Sequence, residues 1–155
     1  MSIKKIITIP DPILRQISEP VKSVDKEIKK LSEDMLETMY EAPGIGLAAV
    51  QVGVLKRVIV IDLSKKDEKK NPLCIINPKL TFKSDDLVSY EEGCLSIPSQ
   101  FAEVKRPNKC NIKYLDIEGN KKEIKAEGLL ATCIQHEIDH LNGILFIDHL
   151  SKLKK

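Results

Sequence analysis

Gln135-His136-Glu137-Ile138-Asp139-His140, inside the apolar run from Leu129 to Leu141, is the stretch from which the rest of the chain can be read. Residues four apart on a helix lie one turn above each other, so the imidazoles of His136 and His140 can reach a single ion. Glu137 stands about 100° round the helix from His136, beside such an ion and not beneath it. From there its carboxylate can exchange a proton with a water molecule without itself being a ligand. Leu129, Leu130, Cys133, Ile134 and Leu141 make most of the remaining helix apolar, so residues 127–142 are expected to form a largely buried helix closed by Gly143, a natural C′ residue. Two imidazoles and a carboxylate in a buried helix are costly unless something partners them. The competing reading is two hydrogen-bonded core histidines that share this spacing by chance.

A helix of the H-E-x-x-H type supplies two ligands, whereas a catalytic metal site wants three and an open position. Gly143 fits the longer pattern H-E-x-x-H-x-x-G-x-x-H, but its last place falls on Phe146, which cannot ligate. No glutamate follows His140. Asp148 and His149 read as part of a short strand and tail, with His149 at the surface or behind a ligand. The third ligand is therefore expected upstream, and Cys94 in Glu91-Glu92-Gly93-Cys94-Leu95-Ser96 is the best candidate. It follows a strand and a glycine that permits an unusual turn. A thiolate also binds divalent transition metals more strongly than the amides and hydroxyls near it. Cys74, Cys110 and Cys133 form no C-x-x-C pair and read as free buried thiols.

Further upstream, Gly44-Ile45-Gly46-Leu47-Ala48-Ala49-Val50-Gln51-Val52-Gly53 is rich in small residues that let a backbone approach a ligand, and Gln51 offers a neutral donor. No Lys-Ser/Thr pair follows, so this is not a phosphate loop. A tight helix-to-strand packing turn is the plain alternative. Around these three segments, periodicity supplies the layout. Pro10, Asp11 and Pro12 open a short helical turn that Pro20 stops. Ile28, Leu31, Met35 and Met39 form one stripe of a helix over residues 24–41, with Ser23 or Asp25 as N-cap and Pro43-Gly44 as its end. Residues 57–63 are β-branched and read as a buried strand, and the charged residues 64–71 as a solvated loop. Short strands are expected at 74–77, 80–83 and 87–92, and a hairpin of 110–117 with 121–125 turns at Glu118-Gly119-Asn120. Helix, antiparallel strands and then helix argue an α+β fold, with antiparallel sheets packed around a central metal-binding helix.

With 155 residues and neither linker nor repeat, a single catalytic domain over residues 1–155 is expected. A composition 42% hydrophobic and 31% charged excludes global disorder. A formal net charge of +2 gives no electrostatic footprint for nucleic acid. No apolar run approaches the roughly 20 residues that cross a bilayer. The N-terminal MSIKKIITIPDPILRQ has no sustained apolar core of a secretory signal, which points to the cytoplasm.

GIGLAAVQVG (44–53), EGCLS (92–96) and QHEIDHLNG (135–143), in that order and at these separations, resemble the three signature segments of the peptide deformylases. The similarity runs roughly from Pro10 to Leu150. The resemblance implies a bacterial-type, cytoplasmic hydrolase that removes the formyl group from N-formylmethionine at the start of nascent polypeptides. Its implied chemistry is attack by metal-bound hydroxide with a glutamate as general acid/base. Carried over by position, the family's metal ligands fall on Cys94, His136 and His140, its catalytic glutamate on Glu137, and its oxyanion donors on the Gln51 side chain and the Leu95 backbone N–H. The main chain of Gly46 matches a position that binds the substrate backbone, and Glu92 and Arg106 match positions that pair in many members. One divalent ion is implied, Fe²⁺ by expectation, with Zn²⁺ or another divalent ion as substitute.

Phe101 stands where some bacterial members have arginine, so an apolar cleft rim is expected. The methionine pocket is expected to be lined by Ile45, Ile134 and Leu130. The backbone from Gly44 to Ala49 and the loop from Cys94 to Ser96 should leave little room on the acyl side. Many members continue past the equivalent of Leu150 with a helix implicated in ribosome docking, whereas this chain stops at Lys155, so at most a weak ribosome association is expected. Two other readings share the helix: a general metallopeptidase, and a structural metal module, which would need a fourth protein ligand.

Overall fold

The computed structural model describes residues 2–151. Asp25, one of the two expected caps, starts α1 (Lys26–Glu41): its carboxylate accepts from the Ile28 N–H at 3.0 Å, satisfying a donor that the first turn leaves free. Ile28, Leu31, Met35 and Met39 are buried together on α1 and pack with Leu47, Val58, Val60 and Ile76. The turn expected after Pro10 is a 3-10 turn over Pro12–Arg15, capped by Asp11.

The strands in chain order are β1 (Gly46–Ala48), β2 (Val58–Ile61), β3 (Leu73–Lys83), β4 (Leu87–Cys94), β5 (Ile97–Pro107), β6 (Lys109–Leu115) and β7 (Lys121–Glu127). They make two antiparallel sheets: five strands in the order β1-β2-β3-β6-β7, and the separate hairpin β4-β5. All four residues of β2 are buried, as its β-branched run requires. Between β6 and β7 the Asp116 carboxylate accepts from the N–H groups of Glu118 and Asn120, each at 2.9 Å, and this turn sets Leu115 opposite Lys121.

The structure departs from the expected layout in three places. The strands expected at 74–77 and 80–83 are one strand, β3, because Pro78 falls within a register shift between Ile76 and Lys79, where no ladder donor is needed. At that shift Asn77 adopts a φ of 51° and its side chain replaces the missing neighbour, accepting from the Val21 N–H at 2.7 Å and donating to the Val21 carbonyl at 2.8 Å. Strand β5 was not expected at all. After the buried Ile97, residues 98–101 are exposed, and inward alternation emerges only at Ala102, Val104 and Arg106, the last of which hides the pattern by being charged. The strand and tail expected at 148–149 are instead α3 (Phe146–Ser151), where the Asp148 carboxylate reaches back to the Leu145 N–H at 3.0 Å.

Helix α2 (Leu129–Leu141) follows Gly128 and ends at Asn142, with Gly143 at a φ of 75° as expected of a C′ residue. Ile134 and Leu141 pack with Ile59, Ile61, Ile75 and Ile112 of the five-stranded sheet. The opposite side of α2 faces the β4-β5 hairpin, to which His136 is hydrogen-bonded. This is the α+β arrangement around a central helix. Leu129, counted among the buried residues of the helix, is instead 42% exposed at its first turn. Among the described residues no helix is long and apolar enough to cross a membrane. The question of ribosome docking was placed on the C-terminal end, whose residues 152–155 lie outside the described ones.

Asn77→Ala removes two main-chain partners and leaves an L-side chain at positive φ. It is expected to lower stability by about 2 kcal/mol, measured by urea unfolding, and Asn77→Gly should recover part of the loss because the backbone term disappears.

Candidate metal centre

Strand β4 ends on Cys94, and the two-residue turn Leu95-Ser96 leads back to Ile97, opposite Cys94. Across from it α2 presents His136 and His140 one turn apart. The Cys94 Sγ lies 3.3 Å from His140 Nε2, and one ligand atom from each of Cys94, His136 and His140 lies within 4.8 Å of the others. Sulfur and nitrogen bonded to one tetrahedral ion at about 2.3 and 2.1 Å stand roughly 3.6 Å apart. The three side chains are therefore spaced as one ion would need, and a thiolate with two imidazoles suits a borderline divalent metal.

The second ring of contacts orients these donors. His136 Nδ1 is 2.9 Å from the Glu92 carboxylate, which can only accept, so Nδ1 donates there and Nε2 is the nitrogen left to the cluster. Arg106 donates to Glu92 from Nε at 2.7 Å and from Nη2 at 3.0 Å, and to Asp139 from Nη1 at 2.9 Å. Burial opposes both charges. The bonds to His136 and Arg106 nevertheless hold Glu92 below the ordinary carboxylate range, and Glu92 and Asp139 raise Arg106 above its usual value.

Burial pushes the thiols of Cys74 and Cys110 up to about 11 and that of Cys133 to about 12, so these three stay protonated. All are free, Cys110 and Cys133 are buried as expected, and Cys74 is half-buried. In the ion-free cluster burial opposes a charge on His136, but Cys94 and Glu92 outweigh it and lift its pKa to about 10. Burial and the neighbouring His136 push His140 well below its ordinary value.

Glu137 is buried, and burial raises its carboxyl to about 7 against the pull of His136 and Arg106. Among the described residues its Oε1 has no hydrogen-bond partner, and neither has His140 Nδ1. A Cβ at Gly46 would stand 2.6 Å from Glu137 Oε2, so glycine is what lets the carboxylate lie against β1. A Cβ at Gly44 would stand 2.7 Å from Leu95 Cδ1, which closes the neighbouring wall in the same way. Gln51 is buried with its orientation fixed: Oε1 accepts from the Ala48 N–H at 3.0 Å, and Nε2 donates to Ser96 Oγ at 3.0 Å and towards Cys94 Sγ at 3.5 Å.

A cleft of about 620 Å³ opens on this cluster. Gly44, Ile45, Gly46, Gln51, Leu95 and Phe101 line it, as the sequence placed them, together with Cys94, His136 and Glu137. Ile134 and Leu130 do not. They stand roughly 160° and 120° round the helix from His136, and pack into the core beneath the sheet. Their place is taken by Leu129, Thr132 and Cys133, seven, four and three residues before His136 and so on its face. That spacing was the available signal. Pro98 and Ser99, bulged out of β5 where its register shifts, also reach the cleft and carried no signal in the sequence.

Arg106→Met leaves Glu92 buried without its cation. The metal-free variant is expected to lose about 3–5 kcal/mol of stability, read as a lower urea midpoint than that of the metal-free parent.

The sequence model of the polypeptide deformylase family matches residues 3–155. The chain is 59% identical to a peptide deformylase from Rhizobium meliloti (strain 1021), covering 100% of this chain and 89% of that protein. It is 60% identical to one from Pelagibacter ubique (strain HTCC1062), covering 100% and 90%. Among solved structures it is similar to the peptide deformylase from Ehrlichia chaffeensis, with a TM-score of 0.93 and 48% identity over 99% of this chain and 90% of that one. A structure of peptide deformylase from the same organism in complex with actinonin gives a TM-score of 0.93 at 49% identity, covering 99% and 92%. With the match spanning almost the whole sequence, the chain belongs to the polypeptide deformylase family.

Proposed function

We propose that this chain, as one catalytic domain over residues 1–155, releases formate from N-formylmethionyl peptides at the start of nascent polypeptides, in the cytoplasm of a bacterial-type cell. The observation that carries this reading is the convergence of Cys94, His136 and His140 at the head of a cleft in which Glu137 lies against the backbone of Gly46. Cys94, His136 and His140 would hold one divalent ion, Fe²⁺ by resemblance to the family, with Zn²⁺ as a substitute. When bound, such an ion acts as a Lewis acid and lowers the pKa of water from 15.7 towards about 7.

The protein's own groups divide the remaining work. Glu137 takes a proton from the attacking water and returns it to the departing α-amine, serving as base and then acid, as an amide leaving group requires. The Gln51 side-chain N–H and the Leu95 backbone N–H donate to the oxygen that becomes negative at the formyl carbon, and one such donor is worth about 3 kcal/mol. Gln51 is suited to this because its carbonyl is already tied to Ala48, so the amide does not have to be ordered during the reaction. The substrate backbone lies along Gly46 of β1, the edge strand of the five-stranded sheet, in the manner of an added strand. The methionine side chain enters the apolar part of the cleft between Ile45 and the Leu129–Cys133 face of α2. A weak ribosome association would bring the enzyme to its substrates, and no nucleic-acid site is proposed.

Three measurements bear on these roles. Cys94→Ser should lose most of its bound metal, while Cys74→Ser, Cys110→Ser and Cys133→Ser keep theirs; full occupancy in Cys94→Ser would remove it from the ligand set. Glu137→Gln should bind metal normally and lose roughly 10² to 10⁴-fold in kcat/KM, and an active variant would mean another base. With formyl-Met peptides the metallated protein should release formate. Acetyl-Met peptides should react at least about tenfold more slowly, and internal peptide bonds should remain intact by mass analysis. Cleavage of internal bonds would favour the general metallopeptidase instead.

A further inference from the structure

Helix α3 touches the metal centre at two points. The buried Phe146 ring lies nearly parallel to His136, at 25° and 6.1 Å between centroids. One turn later His149 Nε2 is 2.9 Å from Asp139 Oδ2, the same oxygen that accepts from Arg106 Nη1 at 2.9 Å. From there the contacts run through the Arg106 guanidinium to Glu92, and from Glu92 to His136 Nδ1 at 2.9 Å. Four elements meet in this chain: Asp139 and His136 come from α2, Glu92 from β4, Arg106 from β5 and His149 from α3.

Asp139 is the weak link. Its side chain is 20% exposed and holds Arg106 through one nitrogen, whereas Glu92 holds it through two. A carboxylate with one bond and access to water can rotate away, and the planar guanidinium would then be fixed from one side only. A second donor on the same oxygen removes that freedom. We propose that His149 is a positioning residue of the metal centre: by fixing Asp139 it keeps Arg106 in plane against Glu92, and so holds His136 in register with Cys94. The role rests on Cys94, His136 and His140 being the ligand set, as proposed above.

The test uses the full chain and metal alone. Zn²⁺ and Co²⁺ affinities are measured by chelator competition, the visible spectrum of the Co²⁺ form is recorded, and urea midpoints are taken on metal-free protein. His149→Phe keeps an aromatic ring on α3 without the donor, and His149→Gln keeps an N–H of similar reach. Losing a direct partner of a ligand typically weakens binding by about 10- to 100-fold. For a residue farther out and 33% exposed, His149→Phe should weaken Zn²⁺ binding by roughly three- to tenfold. It should also alter the Co²⁺ spectrum and leave the metal-free midpoint unchanged, and His149→Gln should restore both readouts. Parental affinity and spectrum in His149→Phe would overturn the proposal. So would a loss that His149→Gln does not recover, or one matched by a fall in the metal-free midpoint, since either assigns His149 to packing α3. If the parent itself bound neither ion, the ligand set would fall and this role with it.

Discussion

Arg106 is the joint on which the site depends. The ligands come from two bodies that share no sheet: Cys94 from the β4-β5 hairpin, and the two histidines from α2, which rests on the five-stranded sheet. The hairpin is seated by apolar contacts, with Ile97 and Val104 packed among Leu14, Leu145 and Phe146. Such contacts are strong in sum but non-directional, and would tolerate a small slide. The guanidinium does not, because its fork must meet Glu92 on the hairpin and Asp139 on the helix at once. A buried ion pair is weak evidence for stability, since desolvation offsets most of the attraction. Its value here is angular: it fixes how a thiol on one body faces two imidazoles on another, to within the tolerance of a coordination shell.

The same joint explains what could and could not be read from the sequence. Helix α1 and the β6-β7 hairpin were legible because each buries one face and so imprints a period on the chain, whereas the buried α2 and β2 were legible from an apolar run and a β-branched one. The clustering of Cys94, His136 and His140 was legible because helical spacing and a missing third donor are both one-dimensional facts. Strand β5 was not, because one of its inward positions is the charged Arg106. Helix α3 was too short, at six residues, to show a period, yet its Phe146 lies against His136 and its His149 reaches Asp139. The pocket was misplaced for a different reason. Ile134 and Leu130 were selected for being apolar, when the phase of α2 relative to His136 already pointed to Leu129, Thr132 and Cys133. Polarity finds the core, but phase decides which apolar residues face a site and which face the sheet.

The cleft differs between its two ends, with buried Glu137 beside the cluster and exposed apolar side chains farther out. Near the ligand cluster the walls close because two glycines allow it. A Gly46 Cβ would stand 2.6 Å from Glu137 Oε2, and a Gly44 Cβ 2.7 Å from Leu95 Cδ1. A side chain at either glycine would have to push one of these two groups aside. At the far end Ile45, Leu129 and Phe101 stand exposed at 47%, 42% and 67%, free to adjust. A site that attacks internal peptide bonds must admit a residue on each side of the reacting carbonyl. A cleft tight on one side and open on the other admits a chain in one direction only, with its terminal acyl group inward. In the proposed reaction, with the reacting carbon at the cluster, a formyl hydrogen would ask less room of Glu137 and Leu95 than any larger substituent. The preference for formyl over longer acyl groups would then follow from where glycine is placed, with the metal chemistry common to both kinds of enzyme.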